Sequence, residues 1–119
     1  MSRLTREQIL SIKDVQEEEV YIEQWGGSVL VRSLSGNERN RILNICMNKK
    51  GKMDSSKLYP LLIVAGCVDP AFSKEDIDAL NNKNAGALEK LAKVIMKLSG
   101  LGPEDLEEDE EGETEAEKN

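Results

Sequence analysis

Histidine is absent from the chain, which removes the commonest general base and metal ligand at neutral pH. Without it, neither a Ser–His nor a Cys–His pair can activate a nucleophile. Cysteine is scarce. Cys46 and Cys67 stand apart in apolar surroundings rather than in a C-x-x-C. They read as buried reduced thiols, which points to the cytoplasm, and they make no zinc site. Tyr21, Trp25, Tyr59 and Phe72 are the whole aromatic content, which argues against a stacking platform for single-stranded nucleic acid. Long apolar runs are lacking too. The longest, Leu61 to Val68, falls far short of the ~20 residues of a membrane span. No apolar stretch follows a basic region at the N-terminus, so no secretory signal is expected. The acids lack the ligand spacing of a calcium loop, and Gly26-Gly27 lacks the lysine and serine of a phosphate loop. The expectation is a non-enzymatic protein with no cofactor, no metal site and no membrane span.

What the chain does have is charge, unevenly placed. Its 119 residues sum to -7. From Pro103 to Asn119 ten acids face one base, Lys118, a local charge of -9, so residues 1–102 carry +2. Leu106 is the one large apolar residue of that segment, too little to offset the entropy of ordering it. The expected organisation is one domain over residues 1–102 followed by a disordered acidic tail, 103–119. The tail reads either as a solubilising end or as a screen over the basic run Lys49-Lys50-Gly51-Lys52. That run, with Arg39 and Arg41 nearby, reads as a solvated loop rather than a nucleic-acid surface, because the body is nearly neutral and the tail reverses its sign.

Local patterning predicts an α+β domain, mostly helical, with an N-terminal β-hairpin packed on about four helices. Thr5 and Gln8 form a capping box that opens a short helix over 6–12, with Ile9, Leu10 and Ile12 as its apolar positions. Val20 and Ile22, then Val29 and Val31, alternate with their neighbours on either side of Trp25-Gly26-Gly27, the pattern of a hairpin whose glycines supply positive φ. Two strands alone are marginal in water, so the hairpin must lie on helices. Ser35 and Glu38 form a second capping box for a helix ending near Asn48, with Ile42, Leu43, Ile45 and Cys46 as its stripe. A third helix follows Asp54-Ser55-Ser56, with Pro60 expected in its first turn. The apolar run to Val68 is taken as helix, with a buried strand as the open alternative. Asp69-Pro70 makes a turn, and Ser73, with Asp76 three residues on, caps a short helix to about Leu80. The clearest element is a helix over 85–99, apolar at Leu88, Leu91, Ala92, Ile95 and Leu98. It is stopped by Gly100 and closed by Leu101.

Three blocks of the chain resemble a known family. They are Leu4-Thr5-Arg6-Glu7-Gln8-Ile9-Leu10, the hairpin Val20 to Arg32 around Trp25-Gly26-Gly27, and Leu34-Ser35-Gly36-Asn37-Glu38-Arg39. With the Phe72-Ser73 helix start and Leu98-Ser99-Gly100-Leu101, this order is similar to that of the tail assembly chaperones of long-tailed bacteriophages and prophages. The resemblance covers about residues 3–103 and rests on the order of short blocks, not on a catalytic signature. It implies a protein encoded beside the tape-measure gene that binds the long helical tape-measure chain before the tail tube polymerises around it. It further implies residence in the host bacterial cytoplasm, absence from the finished virion, and a longer form, made by programmed frameshift, that reaches the tail tube protein. The basic loop has no counterpart in this resemblance. The rival expectation is a structural tail or head-tail connector component retained in the virion. A third is an acidic regulator that mimics nucleic acid.

Five residues are candidates for partner contact: Trp25, Gly26, Gly27, Arg32 and Arg39. Each has a plainer reading. Trp25 suits the cover of a small core, and Arg32 or Arg39 suits an internal ion pair with Glu23 or Glu38.

Overall fold

The computed structural model describes residues 2–102; the segment expected to be a disordered tail lies outside the described residues. The fold is α+β and mostly helical. In chain order it runs α1 (Arg6–Ser11), β1 (Glu17–Ile22), β2 (Gly27–Arg32), α2 (Gly36–Cys46), α3 (Ser55–Gly66), β3 (Cys67–Asp69), α4 (Ile77–Asn81) and α5 (Ala85–Leu98). The three strands form one antiparallel sheet in the order β1-β2-β3.

The hairpin forms where alternation placed it. Val20, Ile22, Val29 and Val31 turn inward and are buried, which leaves the other face to polar and half-exposed side chains. The turn differs from expectation in its chemistry. Glu23–Trp25 coil into one 3-10 turn, and Gly26 alone takes a positive φ, 69°, with its N–H donating to the Ile22 carbonyl at 2.9 Å. Gly27 is already the first residue of β2, paired with Ile22. The hairpin connection is therefore a four-residue loop rather than a Gly-Gly turn.

The run from Leu61 to Val68 resolves into both alternatives. It stays helical to Gly66, then Cys67–Asp69 pairs antiparallel with β2, Leu30 opposite Asp69 and Val31 opposite Cys67. This third strand, rather than helices alone, completes the sheet, and it covers the inner edge of β2. Both remaining edges resist further pairing. β1 carries Glu17, Glu18 and Glu19 in succession, all exposed, and β3 has only three residues.

Pro60 corrects another expectation. Asp54 is the N-cap of α3, accepting from the Ser56 N–H at 3.0 Å, which places Pro60 in the second turn. There it offers no N–H to the Ser56 carbonyl, a cost tolerated because Leu58, Leu62 and Ile63 on either side are fully buried. α2 also ends early, at Cys46, because Met47 bridges to Met53 and closes the basic loop.

α5 is the centre of the core. Ala87, Leu88, Leu91, Ala92, Ile95 and Met96 are buried, while Glu89 and Lys93 pair at 2.9 Å on the opposite face. Gly66 lets α3 approach closely, since a Cβ there would lie 2.6 Å from Ile95 Cδ1. The helix stops as expected. Gly100 turns left-handed at φ 75°, its N–H donates to the Lys97 carbonyl, and Leu101 N–H donates to the Met96 carbonyl at 2.8 Å. Leu101 is buried, so the paired backbone bonds and the apolar contact complete a Schellman motif. Ser99 joins this end of α5 to the end of the hairpin. Its hydroxyl accepts from Leu34 N–H at 2.8 Å and donates to the Ile95 carbonyl at 2.6 Å.

Candidate partner-binding surfaces

The five sequence candidates do not form one surface. Trp25, Gly26 and Gly27 lie at the hairpin tip, and Arg32 lies at the far end of β2, roughly 17 Å away at ~3.4 Å per residue. Arg39 sits beyond that, on the first turns of α2.

At the tip, Trp25 is half-buried and packs against the core, so it serves as the cover its plainer reading described. Its outer face still contributes, with Phe72, Leu80 and Lys83, to a cleft of about 240 Å³. Gly26 is exposed and shapes the turn.

At the other end, Arg32 meets Glu38 in a two-pronged pair, Nη1 to Oε1 at 3.1 Å and Nη2 to Oε2 at 2.7 Å. Glu38 also accepts from Ser35 N–H at 2.9 Å, so one carboxylate caps α2 and ties it to β2. The hydrogen bonds from Arg32, followed by those from Ser35, hold the Glu38 carboxyl down at about 2. Arg32 is raised by the same contact. The internal pair foreseen as the plainer reading thus occupies this arginine.

The larger uncovered surface was not among the five candidates. Every described residue from 2 to 15 is exposed, including Leu4, Ile9, Leu10, Ile12 and Val15. α1 has a complete capping box, Gln8 N–H donating to Thr5 Oγ1 at 3.1 Å and Thr5 N–H donating to Gln8 Oε1 at 2.8 Å. Yet it buries no residue. Gln16 anchors the arm to the body by two bonds with Ser33, whose N–H donates to the Gln16 carbonyl at 2.8 Å while its Oγ accepts from Gln16 N–H at 2.9 Å. Before that anchor nothing among the described residues covers the apolar side chains. The signal was present in the sequence as the stripe Ile9, Leu10 and Ile12, but a stripe does not say whether its partner lies in the same molecule.

A second apolar depression, of about 270 Å³, lies where α2, α3 and α4 meet and is lined by Ile45, Pro60, Leu61 and Ile77, with Lys57 at its rim. Ile45 was expected in the buried stripe of α2 and is instead 52% exposed, because α2 turns only Ile42 and Cys46 fully inward.

Neither buried thiol is activated. Cys46 and Cys67 are free and buried, and burial pushes both thiols up to about 11, where the nucleophilic thiolate is scarce at neutral pH. Among the described residues no three His, Cys, Asp or Glu side chains converge on a metal-sized site, and no helix is long and apolar enough to cross a membrane. Comparison with protein-family models, curated proteins and solved structures found no match to the chain.

Proposed function

We propose that this protein is a tail assembly chaperone of a long-tailed bacteriophage or prophage. In this reading it binds the tape-measure chain before the tail tube polymerises around it and carries out no reaction. The observation that carries the proposal is the uncovered apolar arm, with Leu4, Ile9, Leu10, Ile12 and Val15 all exposed in and around α1, a helix that buries no residue.

An unpackaged tape-measure chain presents long apolar helical stripes, and such surfaces aggregate. A short amphipathic helix laid along one of them covers apolar area on both sides at once. α1 suits transient contact. Six residues are marginal as an isolated helix, so ordering entropy offsets part of the binding energy and lets tube subunits displace the chaperone. The cleft beside Trp25 offers a second apolar contact at the opposite end of the hairpin.

The test is co-production of this chain with the tape-measure protein, followed by measurement of the soluble fraction. The tape-measure protein is expected in the supernatant with the intact chain and in the pellet with the variant Ile9→Ser/Leu10→Ser/Ile12→Ser. Equal solubility with and without this chain defeats the proposal. Mass spectrometry of purified particles separates it from the structural-component reading, which requires stoichiometric retention.

A further inference from the structure

Outside the arm, large apolar side chains are exposed among the described residues at Tyr21, Val68, Ile45 and Met47, and the last two stand together at the end of α2. Ile45 lines the depression between α2, α3 and α4. At about 270 Å³ this depression falls below the ~300–1,000 Å³ of a drug-sized ligand site, and its size suits a few apolar side chains of a peptide. Cations stand at its rim. The loop carrying Lys49, Lys50 and Lys52 is flanked in the chain by lining residues, Ile45 before it and Ser56 and Lys57 after it, and the Met47–Met53 bridge draws its ends together. Asn48 Oδ1 holds the loop in shape by accepting from the Lys50 and Lys52 N–H groups at 2.9 and 3.0 Å. These lysines are exposed and form no ion pair with a described carboxylate.

The arm presents the complement in the same order. Its apolar residues Ile9, Leu10, Ile12 and Val15 run directly into Glu17, Glu18 and Glu19, all exposed. Within the arm Arg6 pairs with Glu7 at 3.7 Å and Lys13 adjoins Asp14, so the net charge beside Ile12 and Val15 is that of the glutamate row. Arg32, opposite Glu17 in the sheet, is already held by Glu38. One chain thus holds an apolar arm that ends in anions and an apolar depression rimmed by cations. A single copy leaves both open, since residues 2–15 are all exposed and Ile45 is 52% exposed. We propose that two copies exchange arms, α1 of each seating in the α2–α3–α4 depression of the other. The Glu17–Glu19 row of one copy then faces the Lys49–Lys52 loop of its partner. The exchange is reciprocal, so it closes as a twofold pair rather than an open chain. Residues 2–15 and the lining of the depression bring each copy to about 20 residues, the lower end of the ~20–30 a side of a stable interface. Ordering a six-residue helix offsets part of the gain, so the pair is weak and the dilute chain keeps its arm free.

Sedimentation equilibrium of the full-length chain tests this. Two copies of net charge -7 repel each other at long range, so the measurement is made at about 0.15 M salt, where that range shrinks to roughly 8 Å. Between about 0.01 and 1 mM the wild type is expected to pass from monomer to dimer. Ile45→Asp, at an exposed position, and Ile9→Ser/Leu10→Ser/Ile12→Ser are each expected to raise the midpoint at least ~10-fold. The same is expected of two charge reversals, Glu17→Lys/Glu18→Lys/Glu19→Lys and Lys49→Glu/Lys50→Glu/Lys52→Glu, each checked for fold by circular dichroism. Mixed in equal amounts, the two reversed chains set opposite charges at both contacts and are expected to pair as the wild type does. A wild-type chain that stays monomeric throughout, grows beyond a dimer, or associates no better than any of these variants overturns the exchange. So does a mixture of the two reversed chains that fails to pair. The proposal does not rest on the chaperone reading, and no tape-measure protein enters these measurements, so the two can fail separately.

Discussion

α1 and α5 open with good caps and carry apolar stripes, yet one buries nothing and the other buries six side chains. Capping supplies ~1 kcal/mol, enough to choose where a short helix starts but not to hold it. Each fully buried leucine or isoleucine of α5 adds roughly 1.5–3 kcal/mol, and that burial holds the element in place. Local signals therefore write both helices, while only a tertiary partner stabilises one of them. The helix that buries nothing is the one whose apolar side chains stay exposed.

The contrast breaks most sharply at the α3–α5 contact. Ile95→Ala is expected to cost ~2–5 kcal/mol, read as a lower urea midpoint. Gly66→Ala forces a Cβ into the fully buried Ile95 side chain and is expected to cost ~1–3 kcal/mol. Adding Ile95→Val to Gly66→Ala should recover part of that loss, because the two sites share one space; strict additivity would mean the close approach is not the cause.

The Arg32–Glu38 pair tests the middle ground, where the hairpin meets α2. The Glu38 carboxyl sits at about 2 in the folded protein, below its ordinary 4.5, so its contribution is present above pH 4.5 and is lost as pH falls toward 2. Because the pair is partly open to water, its worth is set at ~1 kcal/mol. Urea unfolding at pH 6 and pH 2.5 should show Glu38→Gln destabilising at the higher pH and nearly neutral at the lower. An equal deficit at both would assign the effect to packing instead.

The smallest effect belongs to the arm. Ile9→Ser/Leu10→Ser/Ile12→Ser is expected to move global stability by no more than ~0.5 kcal/mol, since the side chains are already in water. Amides of residues 6–11 should exchange far faster than those of α5. A destabilisation comparable to Ile95→Ala would show that α1 is packed in solution and would abolish the comparison.

Much of this architecture is legible in the residues. The capping boxes at Thr5 and Ser35, the alternation of Val20, Ile22, Val29 and Val31, the α5 stripe and the Gly100–Leu101 closure all rest on short-range rules, and all form. What escaped reading depends on neighbours distant in sequence. β3 continues directly from a helix and is a strand only because β2 lies beside it. Ile45 fits an apolar stripe, yet the packing of α2 leaves it half in water. Pro60 is tolerated in a second turn because the core around it is already assembled. The candidate site shows the same division. Trp25 and Arg32 take the structural roles also foreseen for them, whereas the exposure of the arm depends on what the rest of the described fold leaves uncovered.

The row Glu17-Glu18-Glu19 acts on the molecule's company. An extended segment seeking the open side of the sheet meets three carboxylates, whereas a helix approaching α1 meets bare hydrocarbon. The two borders thus differ by shape: one sets charge against an added strand, while the other leaves hydrocarbon open to solvent.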